Sequence, residues 1–205
     1  MAQRLPKRLC FLVDVSGSMA YFNGDQRLDR LCATVVMVME GLAGLEHKYQ
    51  YEVIGHSGET HWLPFVDLGK APRNRAERLA VIQAMIDHSA VARGGDSTLA
   101  AGVRAVREII TSEADDYFVF LISDANLRGY GVKPEDLASA LTGDKRVNAY
   151  VLFIAEPTVA EEMKSQMPAG HAHVVLDMAG MPLLFKDIFS RALLSGKGMS
   201  PSSRL

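Results

Sequence analysis

Cysteine and tryptophan are scarce in this sequence of 205 residues. The two cysteines, Cys10 and Cys32, are far apart and form no CxxC pair. This usage excludes a disulfide scaffold and the cysteine-rich zinc sites, and it suits a reducing, intracellular environment. Because one core can bury roughly 70% of the unfolded surface of such a chain, folding needs no covalent staple. We expect a single domain over residues 1–195, followed by a flexible polar tail at residues 196–205.

Charge asymmetry and long apolar runs are also missing. The chain carries 22 Lys and Arg against 24 Asp and Glu, and its formal net charge is −2. No block of like charges stands out, which excludes a nucleic-acid-binding stripe and a polybasic membrane patch. The apolar run at residues 117–122 is far shorter than the ~20 residues that a membrane-spanning helix needs, and the run at residues 9–13 is too short for a signal peptide. We expect neither a nucleic-acid partner nor membrane insertion.

What the sequence does contain is a regular alternation of strand and helix patterns. Continuous apolar runs, at residues 8–13 and 117–122, are typical of strands that are covered on both faces. Further strands are predicted at residues 49–55, 61–68, 147–155 and 173–176. Helices are predicted at residues 28–42, 75–92, 99–110, 134–141, 158–166 and 182–194. This order predicts an α/β fold, a doubly wound and mainly parallel sheet with helices on both faces. A turn at residues 56–59 adds one antiparallel edge strand by forming a hairpin.

Oxygen-bearing side chains cluster where the predicted strands end. The first strand is followed by Asp14-Val-Ser-Gly-Ser18, the strand at 117–122 by Ser123-Asp124, and Thr98 opens a predicted helix. Because the carboxyl ends of parallel strands share one edge of the sheet, these groups are expected to converge. Carboxylates and hydroxyls suit a hard cation, Mg²⁺ first, with Mn²⁺ or Ca²⁺ as alternatives, and no soft ligand favours zinc or copper. The alternative is that these side chains make only turn and N-cap hydrogen bonds.

The same residues resemble the metal-ion-dependent adhesion site (MIDAS) of von Willebrand factor A (VWA) domains. The motif Asp14-Val-Ser-Gly-Ser-Met19 is joined by Thr98 and Asp124, and the order of strands and helices is similar over about residues 7–194. The resemblance implies that Ser16, Ser18 and Thr98 bind the metal directly or nearly so. It implies that Asp14 and Asp124 act mostly through waters, and that an open position accepts a carboxylate from a partner protein.

Longer stretches are similar to the VWA domains of the midasin-like group, which follow an AAA ATPase region in large proteins. They include residues 14–24, Asp96-Ser-Thr-Leu99 and Ser123-Asp-Ala-Asn126. This resemblance implies an AAA ATPase partner, in cis or in trans, and a mitochondrial location; the cytoplasm is expected otherwise. Because the chain contains no GxxxxGK[ST] loop, ATP hydrolysis is not expected of it.

Side chains around the motif are candidates for contacts with the partner. Tyr21 and Phe22 are two aromatics in a polar loop beside the metal motif, a composition typical of interface hot spots. The further candidates are Met19, Asn23, His56, Ser57, Asp96 and Asn126. The alternatives are that the loop aromatics pack back on the domain, and that His56 and Ser57 only form the hairpin turn.

These features predict a Mg²⁺-dependent protein-interaction module that is not an enzyme. Two alternatives remain open at this stage. A metal-dependent hydrolase would use the same cation to activate water, with Asp96 or His56 as its base. A vestigial VWA scaffold would keep the fold and bind no metal.

Overall fold

The computed structural model describes residues 5–93, 95–175 and 177–195. The predicted tail at residues 196–205 lies outside the described residues, as do Gly94 and Leu176. The strands are β1 (Lys7–Asp14), β2 (Tyr49–His56), β3 (Leu63–Val66), β4 (Asp116–Ser123), β5 (Val147–Phe153) and β6 (Ala172–Val174). The α-helices are α1 (Gly17–Tyr21), α2 (Arg27–Gly41), α3 (Arg75–Val91), α4 (Thr98–Glu108), α5 (Pro134–Thr142), α6 (Pro157–Ser165) and α7 (Met181–Ser195).

The strands form one sheet in the order β3-β2-β1-β4-β5-β6. All neighbouring pairs are parallel except β2 and β3, which are antiparallel. The predicted doubly wound, mainly parallel sheet with one antiparallel edge strand is therefore confirmed. The central strand β1 pairs with β2 on one side and β4 on the other, and the chain winds in opposite directions from this point. Such a switch point opens a crevice at the carboxyl ends of the strands.

Helices cover both faces of the sheet because alternate side chains of the central strands point to opposite sides. On one face, Phe11 of β1 packs with buried residues of α2, α3 and α7. Its ring stacks on Phe120 of β4 with centroids 5.1 Å apart, and Phe185 of α7 packs edge-on against Phe120 at 5.1 Å. On the other face, Leu12 packs with α4, α5 and α6. The carboxyl-end edge is thus held on a rigid, close-packed base.

Several local predictions differ from the structure. The helix α1 was not predicted, because five residues are too few to show a helical period. The edge strand β3 has four residues rather than the predicted eight, and it carries Pro64 beside a register shift in β2. In α3 the predicted apolar stripe included Leu79 and Ile86, yet both are exposed, and the buried positions are Val81, Met85 and Ser89.

Candidate metal centre

The loop after β1 is fixed by hydrogen bonds among the motif residues. The backbone N–H of Ser16 donates to Asp14 Oδ1 at 2.9 Å, and the hydroxyls of Ser16 and Ser18 lie 2.9 Å apart in a hydrogen bond. A Cβ at position 17 would lie 2.4 Å from the carbonyl oxygen of Ala92, so this close approach of α1 to the end of α3 requires glycine. The Asp14, Ser16 and Ser18 side chains are thereby gathered at the end of the central strand.

The loop after β4 joins the same cluster through Asp124. The hydroxyl of Ser18 donates to Asp124 Oδ2 at 3.1 Å, and the backbone N–H of Asn126 donates to Asp124 Oδ1 at 3.0 Å. Between them Ala125 has a φ of 65°, in the left-handed region that is unfavourable for a residue with a Cβ. The tight turn and the two hydrogen bonds hold the Asp124 carboxylate against the β1 loop.

Thr98 enters at the first turn of α4 and is fully buried. Its backbone N–H donates to Asp96 Oδ1 at 2.6 Å, but its Oγ1 atom makes no hydrogen bond of normal length and angle among the described residues, although the Thr98 side chain is close enough to Asp96 to lower the pKa of that carboxyl. An unpaired buried hydroxyl costs about 1–3 kcal/mol. The hydroxyls of Ser89 and Tyr51 are also buried without a partner among the described residues, so the case for Thr98 rests on its position beside Asp96 as well as on the unpaired oxygen. The orphaned oxygen fits a metal ligand.

The electrostatics of the cluster also fit a cation. Burial, together with repulsion from Asp124, raises the pKa of Asp14 to about 7, although hydrogen bonds with Ser16 act in the opposite direction. Burial likewise raises the pKa of Asp96; the backbone N–H and the side chain of Thr98 act in the opposite direction, and repulsion from Asp124 adds a smaller increase. Two buried carboxylates that repel each other are stabilised when a divalent cation lies between them.

The donor set indicates which cation fits. Across the described ranges, no three His, Cys, Asp or Glu side chains are placed so that they could hold a metal ion by themselves, so a site here must draw on hydroxyl oxygens as well. Hydroxyl and carboxylate oxygens together with waters are the ligands of Mg²⁺. Adjacent positions of an octahedron with bonds of ~2.0–2.1 Å lie about 2.9 Å apart. The separation of the Ser16 and Ser18 hydroxyl oxygens matches this value.

Arg27 belongs to this cluster but was not among the predicted site residues. Its Nη1 atom donates to Asp124 Oδ2 at 2.9 Å, and Asp25 accepts from the other side of the guanidinium. Hydrogen bonding with Asp25 is the main cause that raises the Arg27 pKa, so the group stays charged. The contact depends on the turn between α1 and α2, and no sequence spacing signals it.

The structure leaves three of the predicted partner contacts accessible. Tyr21 and Phe22 are 79% and 60% exposed, and Asn126 is also exposed. Asp96 is half-buried beside Thr98. Asn23 is half-buried too, because its side chain accepts from the backbone N–H of Leu28 and donates to Asp29, which fixes the start of α2.

The other three candidates, Met19, His56 and Ser57, are buried, with at most 1% of their surface exposed, so they offer a partner no surface to contact. The short helix α1 turns Met19 into the core. His56 lies beside Asp14 in the β1–β2 register, and burial lowers its pKa to about 4, so it is neutral at pH 7. Ser57 Oγ is engaged within the core, 3.2 Å from His88 Nε2.

Comparison with known proteins agrees with this fold. The sequence model of the von Willebrand factor type A domain matches residues 9–187. This chain belongs to that family. Such domains commonly act as metal-dependent protein-interaction modules rather than as catalysts.

A mouse protein, von Willebrand factor A domain-containing protein 8, is 40% identical to this VWA domain over 195 residues. The match covers 94% of this chain and 10% of the mouse protein, so the chain spans about a tenth of that relative.

Two solved structures illustrate the likeness in fold. The pilus adhesin SpaC from Lactobacillus rhamnosus GG has a TM-score of 0.66 at 15% identity, covering 93% of this chain and 31% of the adhesin. Proximal thread matrix protein 1 from the mussel byssus, in a form with a zinc-occupied MIDAS motif, has a TM-score of 0.61 at 16% identity, covering 92% and 48%. Across the described part of this VWA domain, no helix is long and apolar enough to cross a membrane.

Proposed function

We propose that this VWA domain is a Mg²⁺-dependent protein-interaction module in which an Asp or Glu of a partner completes the ligand shell of the metal. The observations that carry the proposal are the hydrogen-bonded cluster of Ser16, Ser18 and Asp124 and the buried Thr98 hydroxyl, which makes no hydrogen bond of normal geometry among the described residues. Each of these groups gains from a cation, whereas the hydrogen-bonded loop alone leaves one of them without a partner.

The residues divide into two roles. Ser16, Ser18 and Thr98 would hold the metal through their hydroxyl oxygens, and Asp14 and Asp124 would orient its waters. The cation supplies a double positive charge at the rim of a nearly neutral domain, which attracts a carboxylate strongly and directionally. The exposed aromatics Tyr21 and Phe22 add apolar contact area beside that charge.

We propose no catalytic step for this domain. A metal-dependent hydrolase needs a base that reaches a metal-bound water. His56, one of the two candidates, is enclosed in the core, where burial holds its pKa near 4. The other, Asp96, is engaged with the backbone N–H of Thr98.

Mg²⁺ is the proposed cation because the donors are hard oxygens, with Mn²⁺ and Ca²⁺ as substitutes. The zinc-occupied MIDAS of the mussel byssus protein makes Zn²⁺ a necessary comparison in any titration. Most protein sites bind Zn²⁺ more tightly than Mn²⁺, whatever their ligands, because affinity follows the Irving–Williams order of the metals. The informative titrations therefore use each metal at its cellular concentration.

For the partner, we propose an AAA ATPase module in cis or in trans, at an intracellular and mitochondrial location. The support is the similarity of the motifs to the midasin-like group and the 40% identity to the mouse relative. The likeness covers only a tenth of that relative, so the partner must be identified by experiment.

The proposal is tested by affinity capture from a mitochondrial extract in Mg²⁺ and in EDTA. We expect the wild-type domain to retain its partner only in Mg²⁺, and the Thr98→Val variant to retain none. Thr34→Val is the matched control, because Thr34 is also fully buried but lies on α2. Equal capture in Mg²⁺ and EDTA would contradict the proposed function.

A further inference from the structure

Arg27, the first residue of α2, lies at the edge of the metal centre. Asp124 Oδ2 accepts hydrogen bonds from both Arg27 Nη1, at 2.9 Å, and Ser18 Oγ, at 3.1 Å. A single carboxylate oxygen therefore separates the guanidinium from a proposed metal ligand. The metal centre thus has a fixed positive charge of its own beside the cation it would bind.

The guanidinium is held in one orientation. Asp25 accepts from Nε at 3.0 Å and from Nη2 at 2.7 Å, and the Phe22 ring centroid lies 5.7 Å from the guanidinium carbon. The Arg27 side chain is 15% exposed. A side chain that is already fixed loses little conformational entropy when it makes one more contact.

The same side chain keeps donors that an incoming group can use. A guanidinium has five N–H groups, and the contacts with Asp25 and Asp124 occupy three of them. Among the described residues, one N–H on each terminal nitrogen has no acceptor. Arg27 and Asp124 both line an open cavity of about 340 Å³, whose lining also includes the acidic side chains of Glu156 and Glu162 and the apolar side chains of Val159 and Met163. A partner that enters this cavity meets Arg27 and Asp124 together, and Asp124 is the carboxylate that accepts from Ser18 of the metal centre.

We propose that Arg27 is a specificity-determining residue that binds the partner's carboxylate together with the metal: one carboxylate oxygen contacts the metal and the other accepts from Arg27. This inference rests on the proposed function, and it identifies Arg27 as the side chain that recognises the partner's carboxylate. A fixed guanidinium favours a planar carboxylate with two oxygens over ligands that offer the metal one oxygen.

The charge of Arg27 affects the binding of the metal and the binding of the carboxylate in opposite directions. Its positive charge repels the metal and attracts the carboxylate. Coulomb's law gives about a tenfold change in metal affinity when one unit charge is removed at the distance of a neighbouring side chain. Loss of the charge should therefore tighten metal binding and weaken carboxylate binding, whereas loss of a merely structural residue would weaken both.

The test compares three variants with the wild-type domain. Arg27→Gln removes the charge, and Arg27→Lys keeps it but loses the planar fork. Arg78→Gln is the matched control, because Arg78 is also 15% exposed and also donates at 2.9 Å to a carboxylate, that of Glu40, outside the site. Calorimetry measures the Kd for Mg²⁺. Relaxation of water protons on the Mn²⁺-loaded domain measures binding of N-acetylglutamate amide, with N-acetylglutamine amide as the uncharged probe.

We expect Arg27→Gln to lower the Kd for Mg²⁺ about tenfold and to weaken binding of the glutamate probe at least about fivefold. Arg27→Lys should keep the Mg²⁺ affinity within about twofold of wild type and still weaken the probe. Arg78→Gln should change neither quantity. Thermal unfolding of each variant checks that it is folded.

Other outcomes separate the two proposals. A parallel loss of metal and probe affinity in Arg27→Gln, or no change in either, would overturn the role of Arg27 alone. A wild-type domain that binds Mg²⁺ but does not distinguish the glutamate probe from the glutamine probe would overturn both this role and the proposed carboxylate-binding function. A wild-type domain that binds no metal would overturn the proposed function itself.

Discussion

The Thr98→Val substitution tests whether the Thr98 hydroxyl is a metal ligand. Thr98 is fully buried and its Oγ1 makes no hydrogen bond of normal geometry among the described residues, and valine has the same branched shape without the oxygen. Because an unpaired buried hydroxyl costs about 1–3 kcal/mol, we expect the metal-free variant to be more stable than wild type by about 1 kcal/mol. In a chain of this size, that raises the Tm by about 2–4 °C.

Mg²⁺ should reverse this order. A ligand at 100 times its Kd stabilises the folded state by about 2.7 kcal/mol, which corresponds to a rise in the wild-type Tm of roughly 5–10 °C. Without the Thr98 oxygen, the cation loses a proposed direct ligand, and we expect the shift to fall to near zero. The variant is then more stable than wild type in EDTA and less stable than wild type in Mg²⁺.

The assay is thermal unfolding followed by circular dichroism in EDTA and in Mg²⁺, with Thr34→Val as the control. The Thr34 hydroxyl donates to the carbonyl oxygen of Arg30 at 2.8 Å, so its loss should cost about 0.5–1.5 kcal/mol and leave the Mg²⁺ shift intact. If Thr98→Val is destabilised in EDTA and keeps the wild-type Mg²⁺ shift, the assignment of Thr98 as a ligand is refuted.

Three more predictions concern the surroundings of the site. Gly17→Ala places a Cβ 2.4 Å from a backbone oxygen and should cost about 1–3 kcal/mol in urea unfolding, whereas Gly24→Ala, with nothing within 4 Å, should cost far less. Tyr21→Ala combined with Phe22→Ala should weaken partner capture about tenfold or more at an unchanged Mg²⁺ Kd; unchanged capture would exclude the exposed aromatics from the interface. Burial lowers the pKa of His56 from 6.5 to about 4, so between these values the unfolded chain binds a proton that the folded domain does not. Stability therefore falls as pH drops through this window, and comparison of wild type with His56→Gln across pH 4–7 should show a difference that changes by about 3 kcal/mol; a flat difference would contradict a buried neutral imidazole.

The architecture is predictable from the sequence because each central strand is a continuous run of apolar residues, which can be recognised locally. The apolar runs of β1 and β4 are uninterrupted; the first leads directly into Asp14, and the second is followed by Ser123 and then Asp124. In a parallel sheet this order is enough to bring Asp14 and Asp124 to one edge. Helix faces are less predictable, because which side is buried depends on packing. Leu79 of α3 fitted the helical spacing of apolar residues, but it lies on the side of the helix that faces away from the sheet and is exposed.

Within the site, the sequence could not show what depends on the path of the loops. The short helix α1 decides that Met19 is buried while Tyr21 is exposed, and five residues carry no periodicity from which to infer this. Arg27 reaches Asp124 across 97 residues of sequence, through the turn that precedes α2. His56 is buried because it pairs with Asp14 at the end of β1. The polar residues around it in the sequence indicate only a turn.

The central claim is that three hydroxyls and two carboxylates at the end of β1 hold a divalent cation. Anomalous diffraction from crystals of the domain grown with Mn²⁺ tests it directly. We expect one strong peak at ~2.0–2.3 Å from the hydroxyl oxygens of Ser16, Ser18 and Thr98, with Asp14 and Asp124 around its waters. A site without a peak at saturating Mn²⁺, or a peak held by other residues, would contradict the account.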